Sequence, residues 1–395
     1  MKLFLTFVAL LSALYATEVV EVSKEYQTSQ KCKACHLQIV KEWEESWHAK
    51  SHYSKDEYFR ATMDYVSRKT RKSINSVKVQ CATCHNPRIS VTTTDIDYEI
   101  QVLMKLDKGS KVNKATQNSA ISEGINCVVC HNIDKIHEDR DSSYRGMKRV
   151  SWTESGTMVG PFKEATSPYH KSEHRDFMEK NSDQLCFVCH ANDKSVKGLV
   201  FTDMQSEYKK SDKSCVDCHM GGKISGVAAT LRSKDGKLNQ REVRTHSFLG
   251  AHSPELLKGA LSLNIEQDKN KILIALHNPQ PHNVPSGFGS RELIVDISYK
   301  KDDKEIKSKS ISLTRHYTRR KGKATIPHLA EKASKDMSVP ALGKRVLKVQ
   351  NLEDATSVDV KVYYRLVNDE VRSILKLKEA IWSKKYFVAS KSLVL

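Results

Sequence analysis

Cys32-Lys-Ala-Cys35-His36, Cys81-Ala-Thr-Cys84-His85, Cys127-Val-Val-Cys130-His131, Cys186-Phe-Val-Cys189-His190 and Cys215-Val-Asp-Cys218-His219 account for every cysteine in the 395-residue chain. Each pair has two residues between its thiols, and a histidine follows each pair. Two thiols at this spacing reach the two vinyl groups on one porphyrin edge, and the following imidazole then lies under the ring as the proximal iron ligand. Exported cysteines more often form disulfides, and separated pairs more often hold zinc. Neither chemistry asks for a histidine directly after all five pairs. The expected cofactors are therefore five c-type haems, each held by two thioethers and one proximal histidine: His36, His85, His131, His190 or His219.

The two ends of the chain differ in texture. Met1-Lys2 followed by an apolar run from Leu3 to Ala16, with small residues near its end, reads as a secretory signal peptide over residues 1–16. The run is too short to span a bilayer comfortably, and no later segment is apolar for long enough. The expected mature protein is exported, periplasmic and free of integral membrane segments. Residues 17–255 read as a mainly helical or irregular multihaem domain. Helices are expected over 41–69 and 170–180, with a long loop over 147–167. First-cysteine spacings of 49, 46, 59 and 29 residues argue against a tandem repeat. After residue 255 the cysteines stop and alternating apolar runs begin: Ile272-Leu-Ile-Ala-Leu276, Leu293-Ile-Val-Asp-Ile-Ser-Tyr299, 306–313 and Val358-Asp-Val-Lys-Val-Tyr-Tyr364. Lys301-Asp302-Asp303-Lys304 is a hairpin turn signal. Residues 256–367 therefore read as an antiparallel β-sandwich-like domain. Residues 368–395 read as a C-terminal helix and tail, the helix reaching residue 386. The fold class expected is α+β.

Formal net charge is +18, which the propionates of attached haems reduce. A basic surface suits acidic redox partner proteins. Nucleic acid is not an expected partner, because the chain is exported and shows no nucleic-acid-binding motif.

Each iron has a sixth position, whose occupant separates electron carriers from catalysts. Beyond the motif histidines the chain has eleven others: His48, His52, His137, His170, His174, His246, His252, His277, His282, His316 and His328. Several local patterns resemble multihaem cytochromes of the cytochrome c-554 (c-554/c-prime) kind. They are Glu42-Trp43 followed by Ser46-Trp47-His48-Ala49, Gly124-Ile-Asn-Cys127 with His137 after the motif, Thr245-His246-Ser-Phe-Leu-Gly250, and Pro281-His282-Asn-Val-Pro285-Ser-Gly287 with Arg291. The resemblance implies distal ligation by His48, His137, His246 and His282, and by one of His170 and His174. His277, His316 and His328 read as structural or exposed.

The functional expectation is a multihaem cytochrome carrying electrons between respiratory partners. The alternative is an oxidoreductase acting on a small nitrogen or sulfur compound at one open haem. No catalytic residue is identified, and all five motifs end in histidine, unlike the lysine-ended motif of pentahaem nitrite reductases. A pyridine haemochrome assay on the purified protein is expected to return five haems per chain. A Cys127→Ala/Cys130→Ala double variant is expected to return four.

Overall fold

The computed structural model describes residues 28–395 except 86, 88, 90, 92, 139–144, 210 and 233–235. The signal-peptide reading of residues 1–16 lies outside the described residues. No helix among those described is long and apolar enough to cross a membrane.

The architecture is α+β. Its amino-terminal part strings short helices between irregular segments, and these helices carry the motifs. They are α1 (Ser29–Lys33), α2 (Leu37–Glu45), α3 (Trp47–Lys50), α4 (Glu57–Thr70), α5 (Ile74–His85), α6 (Cys127–His131), α7 (Ser182–His190), α8 (Met204–Glu207) and α9 (Cys215–His219). Four of the five Cys-x-x-Cys-His motifs close a helix, in α5, α6, α7 and α9. In the first motif the His36 amide still donates to the Cys32 carbonyl at 2.8 Å, completing one helical turn. Helical spacing places residues i, i+3 and i+4 on one face. Both thiols and the imidazole of each motif therefore share a side.

The carboxy-terminal part is a two-sheet sandwich. Its strands are β1 (Ser262–Asp268), β2 (Lys271–Asn278), β3 (Glu292–Lys301), β4 (Lys304–Thr314), β5 (Gly343–Gln350), β6 (Ser357–Arg365) and β7 (Tyr386–Val394). One sheet has the order β5-β2-β1 and the other β4-β3-β6-β7, with every pairing antiparallel. The alternation read from the sequence is what faces inward: Ile272, Ile274 and Leu276 from β2, Leu293, Val295 and Ile297 from β3, and Val358, Val360 and Val362 from β6 are all buried in one core. Asp302 and Asp303 turn the β3–β4 hairpin with φ of 47° and 65°. Positive φ at both central residues matches the twist of a tight hairpin, and aspartate tolerates it.

The sandwich core does not stop at residue 256. Phe59, Met63 and Val66 of α4 and Val77 of α5 belong to the same buried cluster. Trp47, Tyr58 and Trp382 meet at this junction, with ring centroids 5.9 Å apart for Trp47–Trp382 and 5.7 Å for Tyr58–Trp382.

Four local expectations differ from the structure. The helix expected over 41–69 is cut into α2, α3 and α4. Ser46 is extended and caps α3, and Asp56 caps α4 by accepting from the Phe59 amide at 3.0 Å. Within 170–180, Lys171–His174 is a strand parallel to Thr157–Gly160, and only Asp176–Glu179 is helical. The loop expected over 147–167 contains that partner strand and a second, Val150–Trp152, paired with Ile133–Ile136. At the carboxy terminus the helix is only α10 (Asp369–Leu375), ended by Lys376 in the left-handed region. The Glu57 carboxylate takes the Lys378 and Glu379 amides and the Trp382 indole N–H, each within 2.9 Å. Those amides are unavailable to a continuing helix, and the chain runs on into edge strand β7.

The sandwich carries a desolvated ion pair. Arg365 and Glu292 side chains are 10% and 5% exposed, and Arg365 Nε donates to Glu292 Oε2 at 2.7 Å. Arg365 also forks onto Asp369 at 2.8 and 3.0 Å, joining α10 to β6. Glu292→Ala leaves Arg365 Nε unpaired while Asp369 still holds the guanidinium, and is expected to cost about 1–3 kcal/mol. Replacing both partners with apolar residues of similar size is expected to cost much less in denaturant unfolding.

Candidate functional site

The motif groups line internal clefts. All ten cysteines are free thiols and all are half-buried. His190 presents accessible surface, yet enclosing protein desolvates it enough to push its pKa down to about 4. A side chain that is accessible but walled in faces a slot inside the molecule.

Imidazole orientation is set by the backbone. Nδ1 of His36 lies 2.7 Å from Ala228 O, that of His131 2.7 Å from Val159 O, and that of His219 2.5 Å from Leu249 O. His85 Nδ1 meets Ser51 Oγ at 2.8 Å. A carbonyl at Nδ1 selects the Nδ1–H tautomer and leaves the Nε2 lone pair free for a metal. The segment expected as a long loop is the one that supplies Val159 O.

Three motif histidines face a second histidine. Ring centroids lie 6.4 Å apart for His190 and His48, 6.4 Å for His131 and His246, and 6.3 Å for His219 and His282. The last two pairs are near parallel, with interplanar angles of 24° and 26°. Direct contact would bring the rings much closer. Two metal–nitrogen bonds of about 2.0 Å, plus the reach from each ring centre to Nε2, span roughly this separation. Burial lowers the pKa of His48 to about 3 and of His246 to about 4, and lowers that of His282 and His131. All are thus held as neutral imidazole, the form that binds metal.

The local patterns noted in the sequence build these pairs. Trp43 Nε1 donates to Ile125 O at 2.7 Å, while the Ile125 amide donates to His48 O at 3.0 Å. Ser46 Oγ accepts from the Ala49 amide and donates to Trp43 O, capping the four-residue helix that carries His48. Gly124, at φ 74°, permits this crossing, since a Cβ there would sit 2.6 Å from His48 O. Glu42 accepts from the His246 amide at 2.9 Å. Segment 245–250 works for three motifs at once: His246 faces His131, the Phe248 ring packs 4.3 Å from the His48 ring, and Leu249 O orients His219. Asn278 Nδ2 holds His282 O at 2.8 Å, and His282 Nδ1 lies 2.8 Å from Asn283 O.

The other candidates make different contacts. His137 Nε2 meets Ser151 Oγ at 2.6 Å, and His174 Nε2 meets Glu179 at 3.0 Å. His170 Nδ1 lies 3.3 Å from both Lys171 O and Ser172 Oγ. His316 is 53% exposed beside Glu370. His328, read as structural or exposed, packs against Phe201 and Phe288 with a buried Nδ1.

Thiols of different motifs also touch. Cys32 shares a hydrogen bond with Cys127, Cys84 with Cys189, and Cys186 with Cys215. These contacts join the first motif to the third, and the fourth to both the second and the fifth.

His252 stacks on Trp47 at 3.7 Å, and desolvation brings its pKa to about 2; that of His328 falls to about 4, from 6.5. The unfolded chain accepts protons at these sites from pH 6.5 downward, and the folded chain resists them. Stability is therefore full above about pH 6.5 and falls as pH drops toward 4. Thermal melts across this window are expected to be flatter for His252→Phe than for the native protein.

Residues 64–230 match a family model described as outer membrane cytochrome MtrC/MtrF-like, domains II/IV. No curated protein matches the chain. Among solved structures, a penta-haem cytochrome c552 from Thermochromatium tepidum superposes with TM-score 0.70 at 19% identity, over 93% of this chain and 98% of that one. A superoxide reductase in the oxidised state matches with TM-score 0.18, 6% identity, over 35% of this chain and 88% of that one. A superoxide reductase from Nanoarchaeum equitans matches with TM-score 0.15, 15% identity, over 28% and 84%. Scores that low carry no shared arrangement. The family match and the long superposition together support a multihaem c-type cytochrome.

Proposed function

We propose that this chain is an exported electron carrier of the cytochrome c-554 kind, with a haem on each of its five Cys-x-x-Cys-His motifs. The observation that carries the reading is the set of three histidine pairs at 6.3–6.4 Å. In this reading Cys186, Cys189 and His190 would hold one haem, with His48 supplying a second imidazole. Cys127, Cys130, His131 and His246 hold another, and Cys215, Cys218, His219 and His282 a third. Cys32, Cys35 and His36, and Cys81, Cys84 and His85, hold the remaining two. Haem iron with two imidazole ligands supplies reversible one-electron chemistry and no open position for substrate.

The chain's own part is to orient and insulate. Backbone carbonyls fix the Nδ1 proton, the surrounding protein excludes water, and the fold sets cysteines of different motifs beside one another. Haems held at these motifs would supply one-electron chemistry, and the residues of the fourth motif would stand between those of the second and fifth. The basic surface suits acidic redox partners in the periplasm, reached by export through residues 1–16.

His48→Ala, His246→Ala and His282→Ala are each expected to convert one haem of the set from low-spin to high-spin, read by visible and EPR spectra. Retention of the full low-spin signal in all three variants would overturn the ligand assignment. A pyridine haemochrome count unchanged by loss of the motif cysteines would overturn the haem reading itself.

A further inference from the structure

Five large apolar side chains stand exposed within one short stretch: Ile96, Ile100, Leu103, Met104 and Leu106, with Ile96 at 75% and Leu103 at 84%. No other stretch of that length among the described residues exposes more than two. The chain is helical from Ile96 to Leu103. Spacings of four, seven and eight residues from Ile96 put Ile100, Leu103 and Met104 on one face of it. Contiguous apolar patches beyond roughly 300–600 Å² are rare on soluble monomers and mark interaction sites.

The inner face of this helix is already used. Asp95 caps it by accepting from the Tyr98 amide at 2.9 Å. Tyr98 is buried with Val79 and Ala82 of α5, and Val102 packs on the same cluster. Glu99 accepts from the Ser73 amide at 2.9 Å, and the Tyr98 hydroxyl accepts from Asn75 Nδ2 at 3.3 Å. The second Cys-x-x-Cys-His motif does not account for the outer face. Cys81 packs on the sandwich core and the His85 ring stacks 3.9 Å from Phe59, whereas Val79 and Ala82 pack toward Tyr98. The motif and this helix therefore lie on different sides of α5, and the outer face looks away from the motif.

The charges at the two ends say what fits there. Asp95 and Asp97, at the start, are exposed, and so are Lys105 and Lys108 at the end, with Asp107 half-buried between them. A uniformly acidic partner or an anionic bilayer would meet Asp95 and Asp97 as like charges. A copy of the same helix turned end for end meets opposite charge at both ends. Two-fold symmetry is the arrangement in which one surface meets itself.

We propose that the 96–106 face is a self-association surface, on which a second copy of this chain packs the same helix antiparallel. Centred on Ile100, the pairing sets Ile96 of one copy against Leu103 and Met104 of the other. It also sets Asp95 and Asp97 beside Lys105 and Lys108 at each end. An apolar centre within a charged rim is the ordinary anatomy of a protein interface.

The test is sedimentation velocity on the purified holoprotein, at low ionic strength and over a wide concentration range. The native protein is expected to show a reversible monomer–dimer equilibrium. Leu103→Asp is expected to raise the dimer dissociation constant about tenfold or more. Asp97→Lys and Lys105→Asp are each expected to weaken the dimer, and the double variant to restore it, because the exchanged charges meet again across the two-fold axis. All three positions are exposed, and haem content and far-ultraviolet dichroism check that each variant folds. A native protein that stays monomeric at every concentration would overturn the proposal, as would a dimer indifferent to Leu103→Asp or a double variant no tighter than the single ones. Native protein that remains monomeric but floats with anionic vesicles would assign the face to lipid instead, and the proposal would be wrong.

Discussion

The arrangement depends on imidazole rings held apart. His190 and His48, His131 and His246, and His219 and His282 face one another with ring centroids 6.3–6.4 Å apart. Holding two polar rings at that distance without contact requires each to be fixed independently. Backbone carbonyls do this at Nδ1 for His131, His219, His246 and His282. The helical motifs fix one member of each pair. The partner comes from a capped single turn for His48, from segment 245–250 for His246, and from the loop entering the sandwich for His282.

That demand explains the irregular amino-terminal fold. A continuous helix through 41–69 would carry His48 past the cleft, and Ser46 breaks it so that a four-residue helix delivers the ring. Trp43 and Gly124 then bolt this turn to the chain entering the third motif. The strands within 147–167 bring Val159 O to His131. This half has several small cores of its own, around Val79 and Tyr98, around Val129 and Met147, and around Val40 and Trp43. Its largest helix, α4, buries Phe59, Met63 and Val66 in the sandwich core.

The sandwich is therefore more than an appendage. It supplies the floor for α4 and the loop bearing His282. The ion pair Arg365–Glu292, bridging to Asp369, ties α10 to the inner strands β3 and β6. The packing of α4 and the placement of His282 thus share one junction. A change in the sandwich should be felt in the clefts.

By itself the sequence determined the expectation of haem attachment, because Cys-x-x-Cys-His is a local pattern whose reactive atoms share one helical turn. It also determined four of the seven sandwich strands, β2, β3, β4 and β6, because alternation with period two is local. It named His48, His246 and His282 as ligand candidates through resemblance, and left His137, His170 and His174 beside them on equal terms. Only the tertiary structure decided which histidine faces which motif, since the partners lie 142, 115 and 63 residues apart in the chain and no local signal encodes such closures. It also decided the end of the chain. Residues 368–386 carry a helical apolar period, yet the carboxylate of Glu57, more than 300 residues away, takes the amides a helix would need.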